Sequence, residues 1–208
     1  MRTLNQLNFH NQRAIVRVDF NVPLNDQFEV TDTTRIQAAK ATIDHILDQG
    51  GSCVLLSHLG RPKGKDPKLS LSHIVDTVAE VLGTPVKFCP TTVGEAAESE
   101  ASKLAPGTIL LMENLRFHDE ETSGDVVFSE QLSRLGTLYV NDAFGTAHRA
   151  HASTTIIARF FEENKCFGSL LEKEVLAIEK VMEKGEKPIL AILGGAKVSS
   201  KITIIESL

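Results

Sequence analysis

The chain has 208 residues, 42% of them hydrophobic and 24% charged, with a formal net charge of −5. That length holds one large domain, or a domain and part of another, at the apolar content of a soluble globular protein. The acidic balance argues against general nucleic-acid binding, which wants a basic footprint, and no apolar run approaches membrane-spanning length.

Residues 14–20 are rich in β-branched side chains and predict a first strand, ended by Asn21-Val22-Pro23. Thr33 or Thr34 is placed to cap a helix whose Ile36, Ala39, Ile43, Ile46 and Leu47 share one face, and Gly50-Gly51 stops it. Residues 53–56 are a short apolar run suited to a buried strand. They open into the basic loop Ser57-His58-Leu59-Gly60-Arg61-Pro62-Lys63-Gly64-Lys65. Leu71, Ile74, Val75, Val78 and Leu82 predict a second helix closed by Gly83. A short strand is expected at 86–88, weak helix at 93–104, and a buried strand at 108–112 that runs into Glu113-Asn114-Leu115-Arg116-Phe117-His118. The acidic run at 119–125, with Glu120-Glu121, reads as a solvated loop. A helix at 126–135 and a strand at 138–140 follow, the latter leading into Asn141-Asp142-Ala143-Phe144-Gly145-Thr146-Ala147-His148-Arg149-Ala150-His151.

Strand–helix alternation of this kind implies an α/β fold. The expected form is a Rossmann-like three-layer parallel sheet with helices on both faces, spanning residues 1–168. Leu171, Val175, Ile178, Val181 and Met182 then mark one stripe of a charged interdomain helix within 169–186. Residues 189–193 start a new strand that enters Gly194-Gly195-Ala196-Lys197-Val198-Ser199-Ser200-Lys201. Residues 187–208 therefore read as the first strand–helix unit of a second α/β domain, truncated at Leu208. Left without much of their cover, residues after about 186 are expected to be mobile, packed on a neighbour, or repacked on the first domain.

Four loops place basic groups just past strands or at a helix start: Arg35, His58 with Arg61, Arg116, and His148 with Arg149. In a parallel sheet all strand carboxyl ends share one edge, so these groups can converge on an anion there. The planar guanidinium fork suits phosphate or carboxylate. Asp19 and Asn21, after the first strand, can accept from a ligand hydroxyl or simply close a turn. His148 and His151 sit three apart with no acidic or cysteine partner at metal-ligand spacing, so no metal site is expected. Cys53, Cys89 and Cys166 are odd in number and far apart, which points to reduced thiols and a cytoplasmic chain. The stretch around Gly194 lacks both the Walker and the dinucleotide spacings. Its small residues still let the backbone approach a ligand, and Lys197 and Lys201 bring two cations suited to a transferring phosphoryl group.

Five long motifs, in order, resemble the phosphoglycerate kinase family: residues 17–23, 57–62, 113–117, 141–151 and 193–198. The resemblance covers the whole chain and about the first half of the family's length. It implies transfer of a phosphoryl group between 1,3-bisphosphoglycerate and ADP, or in reverse between 3-phosphoglycerate and ATP with Mg2+. It implies that Asp19, Asn21, Arg35, His58, Arg61, Arg116 and Arg149 hold 3-phosphoglycerate. Arg35 and Lys197 would stabilise the transferring group, and Lys197 and Lys201 would face the nucleotide. Such chemistry needs positioning and positive charge, not a general base, because the attacking carboxylate is already ionised. The metal-binding acid and later glycine-rich loop of that family are absent here, so the chain is expected to bind substrate without turnover alone. Full-length members are expected to be monomeric and the shorter chain prone to associate. A non-enzymatic phosphometabolite-binding or interaction module is the alternative in another class, and a dinucleotide-dependent dehydrogenase is disfavoured by the missing GxGxxG.

Overall fold

The computed structural model describes residues 2–146 and 149–184. His148, Lys197, Lys201, the strand expected at 189–193 and the mobility expected past residue 186 lie outside the described residues.

Six strands form one sheet: β1 (Arg13–Arg17), β2 (Ser52–Leu56), β3 (Val86–Cys89), β4 (Ile109–Met112), β5 (Leu138–Asn141) and β6 (Lys165–Phe167). Their order is β3-β4-β2-β1-β5-β6 and every pairing is parallel. The connecting helices are α1 (Thr34–Asp48), α2 (Val75–Leu82), α3 (Glu95–Ser102), α4 (Asp119–Ser123) and α5 (Val126–Ser133), and α6 (Ser169–Lys184) follows the sheet. This is the α/β architecture that the alternating pattern implies.

Strand side chains alternate between two cores, as the pleat requires. Ala14, Val16, Cys53, Leu55, Ile109 and Leu111 join Ile36, Ile43 and Ile46 of α1 on one face. Ile15, Val54, Leu56, Leu110 and Met112 join Ala97 of α3 and Phe128 and Leu132 of α5 on the other. Burial on both faces explains why these strands read as continuous apolar runs.

Two local expectations differ from what is found, and two elements are unanticipated. Thr33 stands at the N-cap of α1 without a side-chain bond to the helix backbone. Instead Asp32 accepts from the Thr34 amide at 2.8 Å, and the Thr33 hydroxyl accepts from Gln37 at 2.9 Å. The acidic run is not all solvated loop. Residues 119–123 are helical, and Glu121 is 1% exposed because it meets buried donors described below. The strand β6 and the π-helical turn Ala152–Ile156 have no sequence expectation at all.

The chain divides into two compact units, Met1–Glu172 and Lys173–Leu208. In the first, the start of α6 is fixed by Asp142, which accepts from the Leu170 and Leu171 amides at 2.9 and 3.1 Å. A Cβ on Gly168 would lie 2.3 Å from the Asp142 carboxyl carbon, so only glycine lets the backbone pass there. The described part of the second unit is the helix from 173 to 184. No helix among the described residues is long and apolar enough to cross a membrane.

Candidate anion site at the sheet edge

Parallel strands deliver their carboxyl ends to one edge, and the loops after β1, β2, β4 and β5 carry most of the expected site residues there. Asp19 follows β1 and pairs with Arg35 at the start of α1, with the Arg35 Nη1 on Asp19 Oδ2. Asn21, on the same loop, accepts from the Gly60 amide at 2.8 Å. Gly60 also accepts from Arg116 Nη1 at 2.7 Å, so one residue ties the loops after β1, β2 and β4 together. Its φ of +63° is left-handed, and a Cβ there would meet Leu69 at 2.9 Å. Glycine is required on both counts.

Two further residues, for which the sequence suggested no role, hold this arrangement. The Asn114 amide donates to the Leu59 and Leu69 carbonyls, both at 2.8 Å, while its oxygen accepts from the Leu59 and Arg116 amides. Glu113 accepts from the Ser70 hydroxyl and from the Leu71 and Asn114 amides at 2.7 to 2.9 Å. Every polar atom of the Asn114 side chain is thereby used internally, and the basic loop after β2 is stapled at both ends.

Arg61, Arg116 and Arg149 come from three different loops and line one cavity of about 260 Å³. Pro62, His118, Asp119 and Thr122 complete its lining. The Arg116 guanidinium is pressed below its ordinary value first by burial, then by the charges of Arg149, Arg17 and Arg61, with Glu121 opposing. Crowded like charges at a partly open cavity are relieved by an anion, and the guanidinium fork is shaped to bind one. Lys63 and Lys65 are exposed on the loop and do not line this cavity.

His58 lies deeper, 4% exposed. Burial, and then the charges of Arg17, Arg116, Arg35 and His151, push its imidazole down to about 2. It is therefore neutral at physiological pH, and its 3.9 Å approach to Asp19 Oδ1 is not an ion pair. Beneath it Arg17 is almost wholly buried, donating from Nε to Ser153 Oγ at 2.8 Å and from Nη1 to the Val18 carbonyl. Ser153 Oγ donates to Glu121 at 2.6 Å, and the Ser153 amide donates to the other Glu121 oxygen at 3.0 Å. Arg17 is not among the expected site residues; the sequence signal that could have found it is a guanidinium inside a strand buried on both faces. Nothing in the run Glu120-Glu121 marks Glu121. Among the described residues no three His, Cys, Asp or Glu side chains group to hold a metal ion.

Of the expected site residues, Arg61, Arg116 and Arg149 share a cavity, while Asp19, Arg35 and His58 form a contiguous polar set beside Asn21. Comparison with known proteins places this edge in context. The family model for phosphoglycerate kinase matches residues 4–208. A phosphoglycerate kinase of Porphyromonas gingivalis is 46% identical over 230 aligned positions, covering 99% of this chain and 55% of its own length. One from Chlorobium phaeovibrioides is 48% identical over 208 residues, covering 100% and 52%. Among solved structures, phosphoglycerate kinase from Pyrococcus horikoshii OT3 superposes with a TM-score of 0.89 at 30% identity, and that from Coxiella burnetii with 0.86 at 33%. Each covers 99% of this chain and 51 to 52% of its own. The chain thus spans about half the length of the curated relatives it matches.

Proposed function

The chain belongs to the phosphoglycerate kinase family, and from that premise we propose that it carries the family's 3-phosphoglycerate site on the edge just described. The observation that carries this is the convergence of Arg61, Arg116 and Arg149 on one cavity beside the Asp19, Arg35 and His58 set. The three arginines clamp the phosphate, each able to give two parallel donors. Asp19, Asn21, Arg35 and His58 hold the remainder of 3-phosphoglycerate or 1,3-bisphosphoglycerate. Arg35, in the first turn of α1 and half exposed, also reaches the transferring phosphoryl group.

In the whole reaction the substrate carboxylate attacks, or leaves from, the phosphoryl group exchanged with ATP or ADP. The protein's task is to orient the two oxygens and neutralise charge between them. Lys197 is assigned to that charge and, with Lys201, to the nucleotide, whose Mg2+ would be held mainly by the remaining half of the family's length. By the same reading residues 1–168 are the substrate domain, 169–186 the interdomain helix and 187–208 the opening of the nucleotide domain, in a cytoplasmic glycolytic enzyme. Binding of 3-phosphoglycerate without turnover is what these 208 residues should do alone.

Calorimetric titration with 3-phosphoglycerate should saturate, and Arg61→Ala should weaken it by ~1.5–3 kcal/mol, the worth of charge-assisted hydrogen bonds. Equal affinity in the variant removes Arg61 from the clamp. A coupled ATP assay with family-like turnover would refute inactivity of the chain alone.

A further inference from the structure

His58 Nδ1 has two competing neighbours. Arg17 Nη2 lies 3.3 Å away and Asp19 Oδ1 lies 3.9 Å away. A neutral imidazole carries one proton, and these neighbours ask for opposite placements of it. Facing the guanidinium, Nδ1 must be the bare acceptor, because arginine has only donors. Facing the carboxylate, Nδ1 would have to carry the proton. We propose that Arg17 is a positioning residue that fixes His58 as the Nε2–H tautomer.

The shorter approach favours Arg17, and so does the way it is held. A chain of hydrogen bonds runs from Arg17 Nε to Ser153 Oγ at 2.8 Å and on to Glu121 at 2.6 Å. Its direction cannot reverse, since a guanidinium only donates at one end and a carboxylate only accepts at the other. Both ends are buried, and the Val18 carbonyl takes a further Arg17 donor, leaving Nη2 aimed at His58. Asp19 spends its other oxygen on Arg35, and its Oδ1 has no hydrogen-bond partner. That oxygen is left without the proton it would draw if the ring carried one at Nδ1.

The charged and titratable groups facing His58 are Arg17 from β1, Asp19 from the loop after it, Arg35 from α1, Arg116 from the turn after β4 and His151. Four of the five disfavour a second proton on the ring. A ring so placed offers Nε2–H as a donor. The opposite tautomer would turn a lone pair toward an anion and exchange attraction for repulsion. This consequence for the ligand rests on the assignment of His58 to 3-phosphoglycerate given above; the tautomer itself does not.

The experiment is a long-range 1H–15N correlation spectrum of the 15N-labelled 208-residue chain at about pH 7.5, with His58 assigned by its loss in His58→Gln. The expected result is a protonated Nε2 and a bare Nδ1. Arg17→Met should move the proton to Nδ1, toward Asp19, in the majority of molecules. Arg17→Met combined with Glu121→Gln removes both buried charges together and should give the same shift without stranding a carboxylate. Asp19→Asn leaves Arg17 in place and should keep Nε2–H. A protonated Nδ1 in the unmutated protein overturns the proposal, as does Nε2–H persisting in both Arg17 variants. If added 3-phosphoglycerate leaves His58 unmoved while the tautomer behaves as stated, the substrate assignment fails and that of Arg17 stands.

Discussion

β1 and β2 are neighbouring parallel strands, yet the arginines at their carboxyl ends are in opposite situations. Arg17 is 1% exposed, with its donors committed to Ser153, Val18 and His58. Arg61, past the end of β2, is exposed on the wall of the cavity it shares with Arg116 and Arg149. One residue type therefore serves two purposes, and the number of donors already satisfied inside the protein tells them apart. A buried guanidinium is tolerable only when paired and hydrogen-bonded, which fixes its geometry. An exposed one keeps its donors in water until an anion displaces it.

The largest effect should come from breaking the buried side of this contrast. Glu121→Leu leaves Arg17 and Ser153 without the carboxylate that ends their chain, and should cost about 3 kcal/mol of stability in urea unfolding. Arg61→Ala, removing a charge already in solvent, should cost no more than about 0.5 kcal/mol. Similar costs for the two would abolish the distinction.

Acid sensitivity is the next largest effect. Burial leads the causes that lower His58, His118 and His151 from the ordinary value of 6.5. The unfolded chain therefore takes up protons first as pH falls. The stability these groups contribute is complete above 6.5 and is lost below it, with His58 holding out to about 2. His58, held furthest below its ordinary value, adds a slope of ~1.4 kcal/mol per pH unit between its unfolded and folded values. His58→Gln should remove about one proton from the slope measured between about pH 6 and 4. An unchanged slope would mean that His58 titrates as if exposed.

The sheet was legible in the sequence because its strands are buried on both faces and its helices carry one apolar stripe. The arginines were legible because they follow such strands. What stayed hidden has common physical causes. β6 is three residues long, Lys165–Phe167, too short for any periodicity. Glu121 sits beside exposed Glu120, and composition cannot say which of two adjacent acids turns inward. Ser153 matters through a π-helical turn that places its hydroxyl between Arg17 and Glu121, a juxtaposition made only by tertiary structure. Asn114 and Glu113 lie inside a recognised motif, but their bonds to loop residues far along the chain appear only in the fold.

The exposed side of the comparison is tested most directly by a double-mutant cycle on 3-phosphoglycerate affinity with Arg61→Ala, Arg116→Ala and their combination, measured by calorimetry. If both arginines grip one phosphate, the single losses do not add, and the coupling should be at least about 0.5 kcal/mol. Losses that add to within about 0.3 kcal/mol, or affinity that neither change alters, would contradict a shared anion site on this edge.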